Sequence, residues 1–290
     1  MIIDGHTKTC GLMGNPVEHT MSPAIHNTLA ERLGHNLVYV PFHVENDRVI
    51  DSVKGAFGLN ILGLNVTVPY KSDVIPALTE IDDLAEKIGA VNTLVRTDIG
   101  YKGYNTDMPG LYRAMASEGI SLEGEEVILL GAGGAARAVA FMCAVNNVSK
   151  VYLLNRSYEK AAAVAKEVNA KCGRECIYPM LLSEYTKLPD KKLLAIQATS
   201  VGLYPDTDRA VIEEDAFYEK IHTGYDLIYK PAETKFMQMV KAHGGKAYHG
   251  LKMLLYQGII AYELWNEVTV AEEDALQVYE VLKEKMGITE

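Results

Sequence analysis

Two residues of complementary acid–base character stand at the ends of apolar runs. Lys71 closes Gly63-Leu64-Asn65-Val66-Thr67-Val68-Pro69-Tyr70-Lys71, and Asp107 closes Gly103-Tyr104-Asn105-Thr106-Asp107. An ammonium held by a carboxylate can give a proton to a carbonyl oxygen as hydride reaches the carbon, and can reclaim it in the reverse direction. The carboxylate favours the charged amine, which suits Lys71 to the acid role and Asp107 to orienting it. A surface ion pair is the competing reading of these two segments taken alone. Other polar residues stand where strands end: Asn65 and Thr67, whose spacing of two predicts one shared strand face, and Asn92-Thr93 in Gly89-Ala90-Val91-Asn92-Thr93. In open α/β sheets, ligands bind beyond the carboxyl ends of strands.

A second constellation is backbone chemistry. Gly131-Ala132-Gly133-Gly134-Ala135-Ala136 fits G-x-G-x-x-A and follows the apolar run Val127-Ile128-Leu129-Leu130. Gly131 permits a tight turn, Gly133 lets a pyrophosphate approach the backbone, and Ala136 lets the following helix pack on the sheet. The helix start adds free N–H groups and a positive dipole. A tight turn without a ligand fits the same letters. The next strand run, Val151-Tyr152-Leu153-Leu154, leads into Asn155-Arg156-Ser157, with Lys160 a turn later and no carboxylate before Glu159. A carboxylate here would hold the ribose of NAD, whereas Arg156 suits a 2′-phosphate, so NADP is favoured over NAD. Arg137 reads either as a phosphate contact or as an exposed side chain.

The elements that must position these groups alternate in kind. Strands are expected over 8–14, 37–43, 61–68, 91–96, 100–104, 127–130, 151–154, 193–198 and 224–228. Ser22-Pro23 reads as an N-cap with Pro at the first helical position of a helix reaching Leu33. A helix is expected just after Lys71, and the last 40 residues, from Gly250, read as two helices. Strands separated by helical stretches predict α/β layers with a mainly parallel sheet.

The whole-chain numbers narrow the function classes. At 290 residues the chain is long for one domain, since domains cluster at roughly 100–150 residues. With 28 basic and 38 acidic side chains the net charge is −10, a poor match for nucleic acid or an anionic membrane. Cys172 and Cys176 form a lone Cys-x3-Cys with no second pair, so no metal is expected. The start, Met1-Ile2-Ile3-Asp4-Gly5, lacks the regions of a signal peptide. The apolar stretch from Leu254 to Trp265 is short and is broken by Gln257 and Glu263, so no membrane span is expected. A cytoplasmic protein is the expectation.

Nine segments in order resemble the shikimate dehydrogenase family, including its quinate/shikimate members: Gly14 to Asn27, Asn65 to Lys71, Gly89 to Thr93, Tyr104 to Asp107, Gly131 to Arg137, Asn155 to Ser157, Ala198 to Gly202, Tyr225 to Tyr229, and Gln257-Gly258. The resemblance implies two α/β domains with the active site in the cleft between them. A substrate-binding domain would comprise 1–106 and 250–290, and a Rossmann-like NADP-binding domain 107–249. It implies reversible reduction of 3-dehydroshikimate to shikimate with NADPH, a step of chorismate and aromatic amino-acid biosynthesis, in a monomer or homodimer whose only ligands are small molecules. Lys71 and Asp107 fall on the catalytic pair. Thr20, Ser22, Asn65, Thr67, Asn92 and Gln257 fall on binders of the substrate carboxylate and hydroxyls, and Tyr229 on a tyrosine near substrate and nicotinamide. Gly131, Ala132, Gly133, Gly134, Ala135, Asn155, Arg156, Ser157, Thr199, Ser200 and Gly250 fall on the cofactor site.

Thr20-Met21-Ser22 departs from the usual Ser-x-Ser. It keeps the hydroxyl and adds a methyl, worth about 1–3 kcal/mol of discrimination in a pocket. That leaves a dual quinate/shikimate enzyme, with NAD as a candidate cofactor, as the alternative. A glutamyl-tRNA reductase would need a nucleophilic Cys and a basic RNA surface, but Cys10 lies in an apolar run and the chain is acidic. A non-catalytic NADP-binding regulator would not need Lys71 and Asp107 together. His26 is read as a packing residue rather than a catalyst.

Overall fold

In the computed structural model, which describes residues 3–288, the apolar runs form two six-stranded sheets. In chain order the elements begin with β1 (Lys8–Gly14), α1 (Ser22–Arg32), β2 (Leu37–His43), α2 (Val49–Gly58), β3 (Gly63–Val66), β4 (Glu80–Ile81), α3 (Asp83–Ile88), β5 (Thr93–Arg96), β6 (Tyr101–Tyr104) and α4 (Asp107–Ser117). Then follow β7 (Glu126–Leu130), α5 (Gly134–Val145), β8 (Lys150–Asn155), α6 (Tyr158–Cys172), β9 (Ile177–Leu181), β10 (Leu193–Gln197), α7 (Asp215–Tyr218) and β11 (Ile221–Asp226). The chain ends with α8 (Lys235–Ala242), β12 (Lys246–Tyr248), α9 (Leu251–Asn266) and α10 (Glu272–Met286). It divides into two compact units, Met1–Leu111 with Leu254–Glu290, and Tyr112–Met253.

In the first unit the sheet order is β2-β1-β3-β5-β6-β4. β1 pairs in parallel with β2 and β3, and β4 with β6, while β5 runs antiparallel to both its neighbours. The short connection at Asp98–Gly100 dictates the β5–β6 pairing, because a tight turn joins only antiparallel strands. Helix α9 presses its Trp265 onto the sheet, where the indole N–H donates to Leu94 O at 2.8 Å. The indole fits because Gly63 has no side chain: a Cβ there would stand 2.0 Å from Trp265 Nε1.

Several expected boundaries move, each for a local reason. The third strand covers only Gly63–Val66, not 61–68. Pro69 has no N–H to give, and the chain turns after Val66, so Thr67 lies past the strand, although its N–H still reaches Met13 O at 3.0 Å. No α-helix starts just after Lys71; the chain makes a turn and then one 3-10 turn at Ile75–Ala77, and the next α-helix is α3. Ser22 is not the N-cap but the first residue of α1. Met21 holds the cap position without a side-chain bond, and Thr20 Oγ1 accepts from Ser22 N at 3.2 Å. β11 runs from Ile221 to Asp226 rather than over 224–228.

The second unit has the order β12-β11-β10-β7-β8-β9, with every pairing parallel. Counted from its own first strand, that is the doubly wound order 3-2-1-4-5-6. β7 and β10 are almost wholly buried, as their Val, Ile and Leu content requires of central strands. Ser157 caps the start of α6, and Gly173 ends it in a left-handed conformation at φ +64°.

The ends of β10 and β11 meet in a buried polar knot. Asp226 Oδ1 accepts from Ile228 N at 2.9 Å and from Gln197 Nε2 at 3.3 Å, and Oδ2 accepts from the Thr234 hydroxyl at 2.6 Å. Burial outweighs these bonds and pushes the carboxyl up from 3.8 to about 6.

Two stability measurements follow. Gly63→Ala should cost about 1–3 kcal/mol or more in urea unfolding, because neither the strand nor the indole has room to yield. For Asp226 the folded chain holds the proton more tightly than the unfolded chain. Its contribution to stability is therefore full below 3.8 and is lost as pH rises through about 6. Asp226→Asn should remove this slope, on the order of 2–3 kcal/mol between about pH 4 and 7. An unchanged slope in urea unfolding across that range would assign it to another group.

Candidate functional site

Lys71 sits in the turn after β3, with its backbone pinned where Val91 N donates to Lys71 O at 2.7 Å. Its Nζ donates to Asp107 Oδ2 at 2.6 Å, and both side chains keep partial access to solvent, 32% and 22%. Asp107 opens α4. Asn105 shapes that helix start: its Oδ1 accepts from Asp107 N at 3.2 Å and Met108 N at 3.4 Å, while its Nδ2 donates to Ala90 O at 3.0 Å. The carboxylate is thereby tied to the 89–93 segment that also anchors Lys71. An ammonium and a carboxylate in contact, both reachable from solvent, form a proton donor with a fixed direction.

Beside this pair lies a continuous amide–hydroxyl network. Register places Asn65 opposite Thr93, and Thr93 opposite Tyr104. Asn65 Nδ2 donates to Thr93 Oγ1 at 3.1 Å and to Asn92 O at 3.3 Å, and Asn65 Oδ1 accepts from the Tyr39 hydroxyl at 2.8 Å. Asn92 Oδ1 accepts from Thr106 N at 2.8 Å, and its Nδ2 donates to Thr106 Oγ1 at 3.0 Å. Every member is buried, so each amide has one orientation in which its bonds are met.

Thr67 lies one residue past the end of β3. It packs its methyl over Gly14, where a Cβ would stand 2.3 Å away. Thr20 and Ser22 hydroxyls lie 3.2 Å apart. Gln257, on α9, donates to Leu254 O of its own helix at 2.8 Å, and its backbone lies against Gly110, where a Cβ would come within 2.6 Å of Gln257 N.

Tyr39 is a residue of this site that sequence reading does not find. It stands in an apolar strand run, opposite Cys10, while Asn65 stands opposite Leu12. Its phenol reaches across β1 to Asn65, a contact that only sheet order reveals. On its other side Tyr39 stacks on His26, with centroids 4.2 Å apart. His26 is fully buried, and burial outweighs the neighbouring Asn65 side chain and pulls its pKa down to about 3. It is therefore neutral packing and no acid–base group at neutral pH.

In the second unit the Gly-rich turn has the shape its spacing requires. Gly131 adopts φ +111°, and a Cβ there would meet Thr199 Cγ2 at 2.8 Å and Ala198 O at 3.0 Å. Gly133 and Gly134 face open space, and Gly133 to Ala135 are exposed while Ala136 is buried in the helix–sheet contact. Ala132 is half-buried beside them. An open, side-chain-free turn at the start of a twelve-residue helix fits a pyrophosphate.

At the end of β8, Asn155 Nδ2 donates to Ser157 O at 2.9 Å, and Arg156 and Lys160 are exposed. The Ser157 hydroxyl accepts from Lys160 N at 3.3 Å and donates to Glu159 Oε2 at 2.9 Å. The Glu159 carboxyl is held below its usual range by its own N–H and by that hydroxyl. Arg137 pairs with Glu167 at 3.7 Å. Thr199 Oγ1 accepts from Val201 N at 3.1 Å, and Ser200 is exposed. Tyr229 is partly buried, which pushes its phenol pKa up. Gly250 donates to Ile228 O at 3.0 Å, and a Cβ on it would stand 2.1 Å from Leu227 O. Among the described residues no cluster of His, Cys, Asp and Glu could hold a metal ion.

Comparison with known proteins agrees along the chain. Residues 12–94 match the shikimate dehydrogenase substrate binding domain, and residues 114–201 match shikimate / quinate 5-dehydrogenase. A shikimate dehydrogenase (NADP+) of Desulforamulus reducens is 41% identical over 272 residues, 92% of each chain. A shikimate dehydrogenase solved in complex with NADP+ superposes with a TM-score of 0.88 at 37% identity, covering 100% of this chain and 98% of that one. The Listeria monocytogenes shikimate 5-dehydrogenase, solved with shikimate and NAD, gives 0.89 at 29% identity, covering 97% and 98%. With both halves matched and two-fifths of the residues shared with a full-length relative, the chain belongs to the shikimate dehydrogenase family.

Proposed function

We propose that this chain interconverts 3-dehydroshikimate and shikimate with NADPH and NADP+, a step of chorismate and aromatic amino-acid biosynthesis. The observation that carries the reading is the 2.6 Å contact of Lys71 Nζ with Asp107 Oδ2, set beside the Asn65–Asn92 network in one unit. Met1–Leu111 with Leu254–Glu290 is the substrate-binding unit, and Tyr112–Met253 the NADP-binding unit. The protein works in the cytoplasm as a monomer or homodimer. No helix among the described residues is long and apolar enough to cross a membrane.

The dinucleotide, when bound, supplies or accepts hydride. The chain does the rest. Thr20 and Ser22 offer hydroxyl donors to the substrate carboxylate. Asn65, Thr67, Asn92 and Gln257 read the ring hydroxyls, with Asn65 and Asn92 fixed in advance by the buried network. Lys71 gives its proton to the carbonyl oxygen as the alcohol forms and takes it back during oxidation. Asp107 keeps Lys71 charged and directed, and accepts from a neighbouring substrate hydroxyl. Tyr229 walls the nicotinamide side. Gly131 to Ala135 receive the pyrophosphate on free N–H groups, Thr199, Ser200 and Gly250 line the nicotinamide half, and Asn155, Arg156 and Ser157 hold the 2′-phosphate.

Lys71→Ala should lower kcat by about 10²–10⁴-fold with NADPH affinity retained. Wild-type turnover in that variant would remove Lys71 from the chemistry. Arg156→Ala should raise KM for NADP by about 10–100-fold, the loss of a charge-assisted bond, and leave KM for NAD nearly unchanged. Equal changes for both would contradict the 2′-phosphate role. Absorbance assays pairing shikimate or quinate with NADP or NAD should show strong reduction with shikimate and NADP. Comparable rates with quinate would instead place the enzyme among the dual-specificity members.

A further inference from the structure

Resting on the NADP reading of the second unit, we propose that Asp226 and Gln197 are positioning residues that set the loops lining the nicotinamide half of the cofactor site. Both are completely buried, and they are the last residues of neighbouring strands β10 and β11. Each spends its side chain on the loop that follows a strand. Gln197 Oε1 accepts from Thr199 N, and its Nε2 donates to Val201 O at 3.1 Å, which closes the loop carrying Thr199 and Ser200. Asp226 Oδ1 accepts from Ile228 N at 2.9 Å, which turns the chain immediately before Tyr229. Its Oδ2 accepts from Thr234, whose oxygen also caps α8 by accepting from Met237 N at 3.3 Å.

The two loops are joined at one side-chain contact, Gln197 Nε2 to Asp226 Oδ1 at 3.3 Å, reinforced by Leu227 N to Gln197 O at 3.0 Å. The same turn receives Gly250, which donates to Ile228 O at 3.0 Å. The segments bearing Thr199, Ser200, Tyr229 and Gly250 therefore share one knot. A buried carboxylate is a poor device for stability alone, because an apolar pair of similar volume would avoid its desolvation. Among the described residues no Lys or Arg offsets that cost at Asp226, and its bonds run to the loop backbone, Gln197 and Thr234. What the carboxylate provides is several acceptor positions aimed at two loops at once.

The test compares Asp226→Ala, Asp226→Asn and Thr234→Val with wild type. Calorimetry measures the affinities for NADP+ and for adenosine 2′,5′-bisphosphate, which occupies only the Asn155–Ser157 end, and kcat and KM are measured beside them. Asp226→Ala should weaken NADP+ binding about tenfold or more while adenosine 2′,5′-bisphosphate affinity stays within about twofold. Asp226→Asn keeps acceptors for Ile228 and Gln197 and should restore most of the NADP+ affinity and kcat. Thr234→Val, which leaves Asp226 in place, should shift NADP+ affinity in the same direction by less, and it serves if Asp226→Ala does not fold. Wild-type NADP+ affinity in folded Asp226→Ala and in Thr234→Val would overturn the proposal. So would parallel loss of both ligands, which marks general loosening. Wild-type protein that binds neither ligand would overturn the NADP reading itself.

Discussion

The contact between Lys71 Nζ and Asp107 Oδ2 joins segments 36 positions apart in the chain, and it exists only because β3, β5 and β6 lie side by side. Lys71 leaves the sheet just after β3, and Asp107 just after β6. The antiparallel strand between them, β5, starts where those two end, so the two side chains emerge at one sheet margin. Asn105 and Val91 then remove the remaining freedom by fixing the helix start and the turn to the same short segment. An ammonium whose direction is set by backbone would cost little further ordering on meeting a ligand.

The second unit solves a different problem with the same economy of parts. A dinucleotide carries phosphate charge, and here the turn that would meet it offers helix N–H groups with no Cβ in the way at Gly133 and Gly134. The cations stand apart, at Arg156 just past the end of β8 and Lys160 in the first turn of α6, with the Glu159 carboxylate among them. On the proposed reading, backbone would meet the part common to all dinucleotides, and side chains the part that distinguishes them.

The sequence makes legible those features whose signals are local. The run Val127–Leu130 with its Gly-rich turn announces strand, turn and helix together, and Lys71 and Asp107 are conspicuous as charges closing apolar runs. Features that depend on neighbours in space are not legible. Tyr39 looks like core until β1 is placed between it and Asn65. The two-residue strand β4 has no pattern of its own and exists only as a partner of β6. The letters run on as a strand to residue 68, but the turn before Pro69 ends β3 at Val66. Ser22-Pro23 carries the letters of a helix cap, yet the chain enters the helix one residue earlier.

The packing of Trp265 against Gly63 has a practical corollary. It is the only tryptophan in the chain, and its indole is bonded to Leu94 within the sheet that carries Asn65 and Thr93. Indole emission is thus a private reporter of the first unit, while the second unit speaks only through its tyrosines and its backbone. During denaturation, coincidence of indole emission with far-ultraviolet circular dichroism would mean that both units melt as one cooperative body. A gap between the two signals would measure directly how independently each unit holds itself together.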